Sequence, residues 1–281
     1  MRAVVLHGHI FKNAGTSFDW SLKRQFGDGF LDHRDDRAMR AGEGEHLREL
    51  LVAQPGLQAI SSHHMTGELP EIPGVQFQQV FLLRHPLERL RSVYEFERRQ
   101  RGKTPGSRAA RSKSFRDYVA WRMSPEVAHT IRDYQTLYLA GYHGLASAAD
   151  LARTHFPAAM QTLSGAALVG LVDRYDESMV VLEEVLRPYF PAIDLACVPQ
   201  NVARGKDRPS GTEAAVAAAL DELGELQKTV IDLNSYDLAL YQQACQVLDA
   251  KIDAVDDFET RLSNYRKRCH RLRRRKLVRF S

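Results

Sequence analysis

The chain has 281 residues, 44% of them hydrophobic, and a formal net charge of +4. This length and hydrophobic content can bury the core of one large domain or two small ones. No run of about 20 apolar residues is present, so no transmembrane helix is expected. The three cysteines are far apart and form no C-x-x-C pair, which argues against a disulfide framework or a cysteine metal site.

The positive charge is concentrated at the C-terminus. Ten of the 39 basic side chains and none of the 35 acidic ones lie in residues 261–281. We therefore predict a main domain over residues 1–260 and a basic C-terminal helix or tail over 261–281. Residues 266–279 can contact a membrane surface, an anionic polymer or a partner, or they can form a solvated end. No aromatic interleaving or recognition motif supports nucleic-acid binding.

The first predicted element is a buried strand at Val4 to Leu6, which the N-terminus enters directly. No signal peptide is expected, and reduced cysteines predict a cytoplasmic protein, with a peripheral position at the inner membrane face as the alternative that the basic tail suggests. After this strand comes a loop with Gly8, Lys12 and Gly15. Thr16 and Ser17 are expected to cap a helix from about Phe18 to Phe26.

A strand, a glycine- and lysine-containing loop and a helix N-terminus together form a phosphate-binding geometry. Backbone N–H groups and the helix dipole favour an anion there, and Lys12 adds a full charge. The loop is not a Walker A loop, because its lysine does not directly precede Ser or Thr. The candidate ligands of this loop are Lys12, Asn13, Ala14, Gly15, Thr16 and Ser17.

Further along the chain, strands and helices alternate. Strands are predicted over 57–62, 77–83 and 166–172. Helices are predicted over 45–54, 86–100, 115–123, 125–139, 175–186 and 212–223, with more helix through 250 and a basic helix over 253–275. Residues 33–40, 188–199 and 200–211 are predicted to be loops or irregular segments, and 100–114 a mobile loop. This order predicts an α/β, P-loop-like three-layer fold: a central, mainly parallel sheet flanked by helices, with a helical C-terminal part.

A second polar motif begins where the strand over 77–83 ends. Arg84 can bind two phosphate oxygens with its planar guanidinium. Pro86 opens a helix, on which His85, Arg89 and Ser92 fall on nearly one face. An arginine and a hydroxyl beside a helix N-terminus suit a second phosphate group, and the alternative is a solvated helix with arginines on its surface.

These two motifs resemble the donor site of sulfotransferases. Residues 9–17 resemble the 5′-phosphosulfate loop H-I-x-K-T-A-G-T-S, with Asn13 in place of threonine. Residues 84–94 resemble the 3′-phosphate motif R-D-P-x-x-R-x-x-S-x-Y, with His85 in place of aspartate. Three later segments are similar to carbohydrate sulfotransferases related to the uronyl 2-O-sulfotransferases. They are residues 168–178, 199–204 and 234–241.

The resemblance implies that the donor is 3′-phosphoadenosine 5′-phosphosulfate (PAPS) and the product 3′-phosphoadenosine 5′-phosphate (PAP). Lys12 and the loop backbone would hold the 5′-phosphate, and Arg84 and Ser92 the 3′-phosphate. Asn201 and Arg204, with Lys206, either close over the donor or form an exposed polar loop. The acceptor would be a hydroxyl group, expected on a carbohydrate or glycolipid. This scheme needs no metal, and no metal-ligand spacing is present.

The acceptor hydroxyl needs a base, because its proton leaves during the transfer. In the family this is a histidine between the two phosphate motifs, with glycine four residues later. His63 and Gly67 meet that spacing, His64 is the neighbouring candidate, and Glu68 is the fallback. An imidazole suits the role because its pKa lies near neutral pH.

Two rival interpretations stay open. One is a P-loop-like nucleotide kinase, since its sheet and loop chemistry are similar, although the position of Lys12 argues against it. The other is a non-enzymatic protein that binds anionic polymers through the basic tail. The identity of the acceptor and the oligomeric state are not encoded in any motif that we identify.

Overall fold

The computed structural model describes residues 2–41, 44–65, 69–127, 130–142, 144, 146–200 and 211–278. The chain divides into two units. The first comprises Met1–Leu83, Thr162–Ala203 and Ala244–Ser281, and the second comprises Arg84–Gln161 and Arg204–Gln243. Five residues named in the sequence analysis lie outside the described residues: Gly67, Glu68, Asn201, Arg204 and Lys206.

The first unit contains a parallel sheet. In chain order its strands are β1 (Arg2–Gly8), β2 (Phe30–His33), β3 (Ala59–Ser62), β4 (Val75–Leu83) and β5 (Leu168–Leu171). Their order in the sheet is β2-β3-β1-β4-β5, and every neighbouring pair is parallel. The predicted α/β class, with a central parallel sheet, flanking helices and a helical C-terminal part, is confirmed.

Helices make up most of the remaining regular structure. They are α1 (Gly15–Phe26), α2 (Asp36–Ala41), α3 (Glu45–Ala53), α4 (Pro86–Arg99), α5 (Pro105–Ser112), α6 (Phe115–Arg122), α7 (Tyr134–Leu139), α8 (Ala148–Asp150), α9 (Phe156–Gly165), α10 (Tyr175–Leu186), α11 (Thr212–Leu223), α12 (Gln227–Asp232), α13 (Ser235–Asp253) and α14 (Phe258–Val278). A π-helical turn, Leu151–His155, joins α8 and α9, and 3₁₀ turns follow α1 and α11 at Gly27–Gly29 and Gly224–Leu226.

Helices cover both faces of the sheet, as the alternation of side chains along β1 shows. Val4 and Leu6 lie in a buried cluster with Leu47 and Leu51 of α3. His7, whose side chain points to the opposite face, contacts the edge of the Phe18 ring of α1 at a centroid distance of 4.7 Å. Two helical layers therefore enclose the sheet, and the carboxyl ends of its strands share one edge.

The basic helix α14 is packed into the first unit along one side. Leu262, Tyr265 and Cys269 are buried, and the guanidinium of Arg268 pairs with Glu183 at 2.7 Å and with Asp194 at 3.0 Å. At least half of this helix is therefore anchored by apolar contacts and ion pairs, and is not a solvated end.

Three local predictions are wrong. Residues 33–40 are not a charged loop, because His33 is buried at the end of the edge strand β2 and Asp36–Ala41 form α2. Residues 100–114 are not a mobile loop: α5 begins at Pro105, and the hydroxyl oxygen of Thr104 accepts the N–H of Ser107. Among the described residues of the helix predicted over 125–139, the α-helix is confined to α7, because Asp133 adopts a left-handed conformation (φ 41°) immediately before it.

The second unit contains a pair of buried carboxyl groups that cap two helices reciprocally. The Asp237 carboxylate accepts the N–H groups of Gln135 and Thr136 at the start of α7. The Asp133 carboxyl accepts the N–H of Asp237 near the start of α13 at 2.8 Å. Burial and the neighbouring Asp237 raise the pKa of Asp133 to about 7, because two negative charges are costly when they lie close together and away from water.

Among the described residues, we find no helix that combines the length and the apolar character needed to cross a membrane.

The raised pKa of Asp133 predicts how stability depends on pH. The folded state retains a proton that the unfolded state has lost, so this contribution is fully present below about pH 4 and is lost as the pH rises through about 7. The free energy of unfolding of Asp133→Asn, compared with that of the wild type at the same pH, should therefore rise by on the order of 3 kcal/mol between pH 4 and pH 8. Urea denaturation across this range measures the gain.

The matched control for this prediction is Asp221→Asn, which removes an exposed carboxyl group and should not reproduce this gain. A constant difference between Asp133→Asn and the wild type over the same pH range would contradict the proposed retention of a proton.

Candidate functional site

Polar residues of the first unit meet at the carboxyl edge of the sheet. β1 ends at Gly8, β3 ends at Ser62, and the two strands are paired so that His7 lies opposite Ser61. The N–H of His9 donates to the carbonyl of Ser62 at 2.9 Å. This register brings the loop after β1 and the histidines after β3 to the same place, as the sequence predicts for parallel strands.

The loop between β1 and α1 has an unusual backbone. Lys12 and Ala14 both adopt left-handed conformations, with φ of 70° and 61°, which are uncommon for residues other than glycine. The side chain of Asn13 is buried, and its amide donates to the carbonyl of Leu82 in β4 at 2.7 Å. Asn13 therefore ties the loop to the sheet with its side chain, and its backbone N–H donates to the carbonyl of Ile10 at 3.2 Å.

Helix α1 begins earlier than predicted, at Gly15 with Ala14 as the N-cap residue, so the expectation that Thr16 and Ser17 cap it is wrong. Thr16 is exposed in the first turn, and the Ser17 hydroxyl accepts the N–H of Gln200 at 2.9 Å. Within the part of the chain that the structure describes, the N–H groups of Ala14, Gly15 and Thr16 have no acceptor. Such groups form the positive end of a helix dipole and suit an anion.

Gly15 is required by its contact with His9. A Cβ atom at this position would collide with the His9 imidazole, so the ring lies directly against the first residue of α1. The absence of a side chain at Gly15 thus lets the His9 ring approach the start of the helix.

A hydrogen-bonded cluster that sequence reasoning missed lies behind the loop. Asp19 of α1 bridges two histidines, with its carboxylate oxygens 2.7 Å from Nδ1 of His7 and 2.8 Å from Nδ1 of His9. Nδ1 of His7 is also 3.0 Å from the Ser61 hydroxyl. The three bridged residues are at most 8% exposed. The pattern H-x-H with an aspartate ten residues later is the signal that could have revealed them.

Contacts within the cluster set the protonation of Asp19 and His9. Burial would raise the pKa of the Asp19 carboxyl, but the His7 and His9 rings outweigh it and hold this pKa well below its usual range. Burial lowers the pKa of His9, and the His7 ring adds to this effect against the pull of Asp19. Asp19 is therefore an anion at neutral pH, and His9 is neutral.

The ligand atoms that His7, His9 and Asp19 could offer to a metal ion lie within 4.8 Å of one another, and these residues form the candidate metal cluster among the described residues. Their Nδ1-to-oxygen distances are those of hydrogen bonds. Two ligands of a tetrahedral ion with bonds of about 2.0 Å would stand about 3.3 Å apart. The cluster as it stands is a hydrogen-bonded network.

His63 has the geometry of a base. Its Nδ1 lies 2.8 Å from the carbonyl oxygen of His9, and a carbonyl only accepts, so Nδ1 carries the proton and Nε2 has the lone pair. Burial, and then the neighbouring His9 ring, lower the pKa of His63. The ring is therefore neutral at pH 7, half-buried, and ready to take a proton at Nε2.

His64 is held differently. Its Nε2 lies 2.8 Å from a guanidinium nitrogen of Arg40, which can only donate. A carboxylate oxygen of Asp36 is 3.4 Å from Nε2 of His64. The lone pair of His64 therefore accepts a hydrogen bond from Arg40, which leaves His63 as the better base of the two.

The second predicted phosphate motif lies in the second unit. The backbone of Arg84 is fixed by Gln135, whose side chain accepts its N–H and donates to its carbonyl, both at 3.0 Å. Ser92 is half-buried. Arg89 is 2% exposed and donates to the carbonyl of Thr130 at 2.7 Å, so this arginine supports the interior.

Residues of the later, weaker motifs also have structural roles. The Ser178 hydroxyl accepts the N–H of Leu171 at 2.9 Å, and a Cβ atom on Gly170 would press against Ser178. The aspartate of the 234–241 segment is Asp237, the helix cap described above. These positions hold elements together and do not by themselves point to a substrate.

No protein-family model matches the chain. An uncharacterized protein of Archaeoglobus fulgidus is 28% identical over 249 residues, which cover 86% of this chain and 96% of the relative. The similarity therefore extends over most of both chains, and the relative's name states no activity.

The contact between Gly15 and His9 predicts the effect of one methyl group. Gly15→Ala should lower the free energy of unfolding by about 1–3 kcal/mol, because the added Cβ forces the His9 ring or the helix start to move. Chemical denaturation measures the loss. Gly165→Ala, where a Cβ meets nothing within 4 Å, is the control and should be neutral or stabilising. Equal stability of both variants would show that the loop yields at no cost.

Proposed function

We propose that this protein transfers a sulfuryl group from PAPS to a hydroxyl, releasing PAP. The acceptor class that the resemblance implies is a carbohydrate or glycolipid. The transfer breaks the bond between sulfur and the 5′-phosphate oxygen, forms a bond from sulfur to the acceptor oxygen, and passes the acceptor proton to a base. The observation that carries the proposal is the neutral, half-buried His63, beside a loop and a helix N-terminus that suit an anion.

His63 is the base in this scheme. Its proton on Nδ1 is donated to the His9 carbonyl, so Nε2 can accept the hydroxyl proton as the acceptor oxygen attacks sulfur. The lowered pKa supports this role, since the ring stays unprotonated at neutral pH. We therefore expect activity to rise with pH along an acidic limb below about 6.5 and to level off near neutral pH.

The leaving group needs a different kind of help. Negative charge builds on the 5′-phosphate as the bond to sulfur breaks, and sulfuryl transfer, like phosphoryl transfer, depends mainly on positioning and charge stabilisation. In our proposal Lys12 and the N–H groups of Ala14, Gly15 and Thr16 stabilise that charge. No step requires a metal ion.

The assignment of the 3′-phosphate rests on the resemblance. Arg84 and Ser92 match the arginine and serine of that motif, and Gln135 fixes the backbone of Arg84 within the second unit. The lid formed by Asn201 and Arg204 stays a prediction of the same kind. His85, which replaces the motif aspartate, contacts the ring of Tyr241 at a centroid distance of 5.2 Å.

A binding comparison separates this function from the kinase alternative. PAP should bind more tightly than ATP, because a kinase has no use for a 3′-phosphate group. Isothermal titration with PAP, ATP and adenosine 5′-phosphosulfate, which lacks the 3′-phosphate, measures the preference. Arg84→Ala should reduce the affinity for PAP by about tenfold or more and leave that for adenosine 5′-phosphosulfate unchanged. Tighter binding of ATP would overturn the proposal.

Substitution of the two histidines tests the assignment of the base. His63→Ala should lower kcat by about 10²- to 10⁴-fold with little change in donor affinity, and His64→Ala should lower it much less. Transfer of labelled sulfate from PAPS to a panel of sugars, glycolipids and small alcohols provides the assay. If His64→Ala is the more damaging variant, the roles of the two residues are exchanged.

We also propose that α14 contacts an anionic surface, either an acidic membrane at the cytoplasmic face or an anionic polymer. Its outer side carries exposed basic residues, among them Lys267, Arg271 and Arg274, while its apolar side is buried. Attraction would therefore be electrostatic and sensitive to salt.

Charge reversal tests this contact without deleting the helix. Reversal of Lys267, Arg271 and Arg274 to Glu should abolish retention on anionic vesicles or an anionic polysaccharide at low salt. Reversal of the exposed Arg101, Lys103 and Arg108 is the matched control and should retain binding. Equal loss in both triple variants would indicate a non-specific effect of net charge.

A further inference from the structure

Asp19 is the centre of the buried network behind the candidate base. One carboxylate oxygen is 2.7 Å from Nδ1 of His7 and the other is 2.8 Å from Nδ1 of His9. The guanidinium of Arg34, just after β2, is 3.7 Å from the second oxygen. Asp19 lies on α1 and is 8% exposed, so it contacts groups from the ends of two strands, β1 and β2, without facing open solvent.

A carboxylate can only accept hydrogen bonds, and this fixes the tautomer of both rings. His7 and His9 must each carry a proton on Nδ1 to satisfy Asp19, which leaves Nε2 as the unprotonated nitrogen of the neutral His9 ring. The Ser61 hydroxyl, 3.0 Å from Nδ1 of His7, can accept the same proton. Nothing else in this network demands a particular tautomer of His9.

The position of His9 in turn determines that of His63. The His9 carbonyl accepts the Nδ1 proton of His63 at 2.8 Å, and the two rings are in contact at a centroid distance of 4.3 Å. On its other side the His9 ring lies against Gly15. The ring of His9 is thus wedged between the base and the first residue of α1, and Asp19 is the group that holds it there.

We infer that Asp19 is a positioning residue for the base: it fixes the ring and tautomer of His9, and His9 fixes the proton of His63 on Nδ1. The inference rests on the proposed function, in which Nε2 of His63 takes the acceptor proton. Asp19 itself touches neither donor nor acceptor in this scheme. It acts only through the two residues in between.

The isosteric variant Asp19→Asn isolates this role. An amide offers one acceptor oxygen and one donor NH₂ group, so it cannot accept from both rings. Either His7 or His9 must then present a bare Nδ1 and move its proton to Nε2. The substitution keeps the shape of the buried side chain but no longer requires a proton on Nδ1 of both His7 and His9.

The expected result has two parts. In the wild type, ¹⁵N NMR of the imidazoles should show His7, His9 and His63 with the proton on Nδ1 at neutral pH. In Asp19→Asn, His7 or His9 should change tautomer, and the Nδ1 signal of His63 should shift or divide into two populations. The kcat for sulfuryl transfer should fall by about 10- to 100-fold, which is less than the loss expected for removal of the base itself, while KM for PAPS changes less than threefold.

Ser61→Ala is the matched control. It removes a neutral partner of His7 from the same network and leaves both carboxylate contacts in place, so the His63 tautomer and kcat should stay near those of the wild type. A merely structural role of Asp19 would lower the yield of folded protein and the stability of Asp19→Asn without moving the tautomer of His63.

The outcomes separate this inference from the proposed function. Wild-type protein that transfers no sulfate to any acceptor refutes the function, while the tautomers still report whether Asp19 positions His63. An Asp19→Asn variant that folds with an unchanged His63 signal and unchanged kcat overturns the inference alone. If that variant does not fold, the wild-type spectrum decides: a proton on Nε2 instead of Nδ1 in His9 or His63 overturns the inference, and a proton on Nδ1 in all three rings upholds the arrangement from which it is argued.

Discussion

The carboxyl edge of this sheet depends on one buried carboxylate. Removing the charge of Asp19 from water is costly unless it is paired and hydrogen-bonded, and the protein meets this cost with His7 of β1, His9 of the following loop and Arg34 after β2. The pairing joins α1 to the ends of neighbouring strands at the point where the loop must hold its shape. Because a partner left alone would be a buried and uncompensated group, these elements are expected to keep their arrangement together or lose it together.

Much of the fold follows from the sequence, and the errors have physical causes. Long apolar strands flanked by turn residues, such as Val75–Leu83, are visible as buried strands of a parallel sheet. Strand β2 is four residues long at the edge of the sheet, too short to show a period. The sequence predicted a loop in place of α5 because Pro105 and Gly106 are typical of turns. Pro at the first helical position after a Thr cap also starts a helix, however, and α5 begins in this way. The start of α7, within the helix predicted over 125–139, depends on the left-handed Asp133, which is stabilised by contacts with a segment about 100 residues away.

The candidate site was predictable where it depends on chain order, and not where it depends on three-dimensional contacts. The loop around Lys12 and the histidines after β3 follow strand ends, so their meeting at one edge could be inferred. The choice between His63 and His64 could not, because it rests on which ring meets a carbonyl and which meets Arg40. The bridging role of Asp19 was also hidden, since an aspartate inside a helix has no local feature that distinguishes it from a solvated one.

Asn13 stands where the motif that this loop resembles has threonine, and the structure shows what its side chain does. The Asn13 side chain is 1% exposed and reaches inward to the carbonyl of Leu82, while the groups that suit an anion are backbone N–H groups of the residues that follow. A change at this position therefore alters how the loop is tied to β4 and not the set of donors that an anion would meet. The left-handed Lys12 and Ala14 on either side of it need such a tie, because their conformations cost free energy that the surrounding contacts must offset. A substituted side chain at position 13 is therefore expected to hold the loop in this shape as long as it still donates to β4.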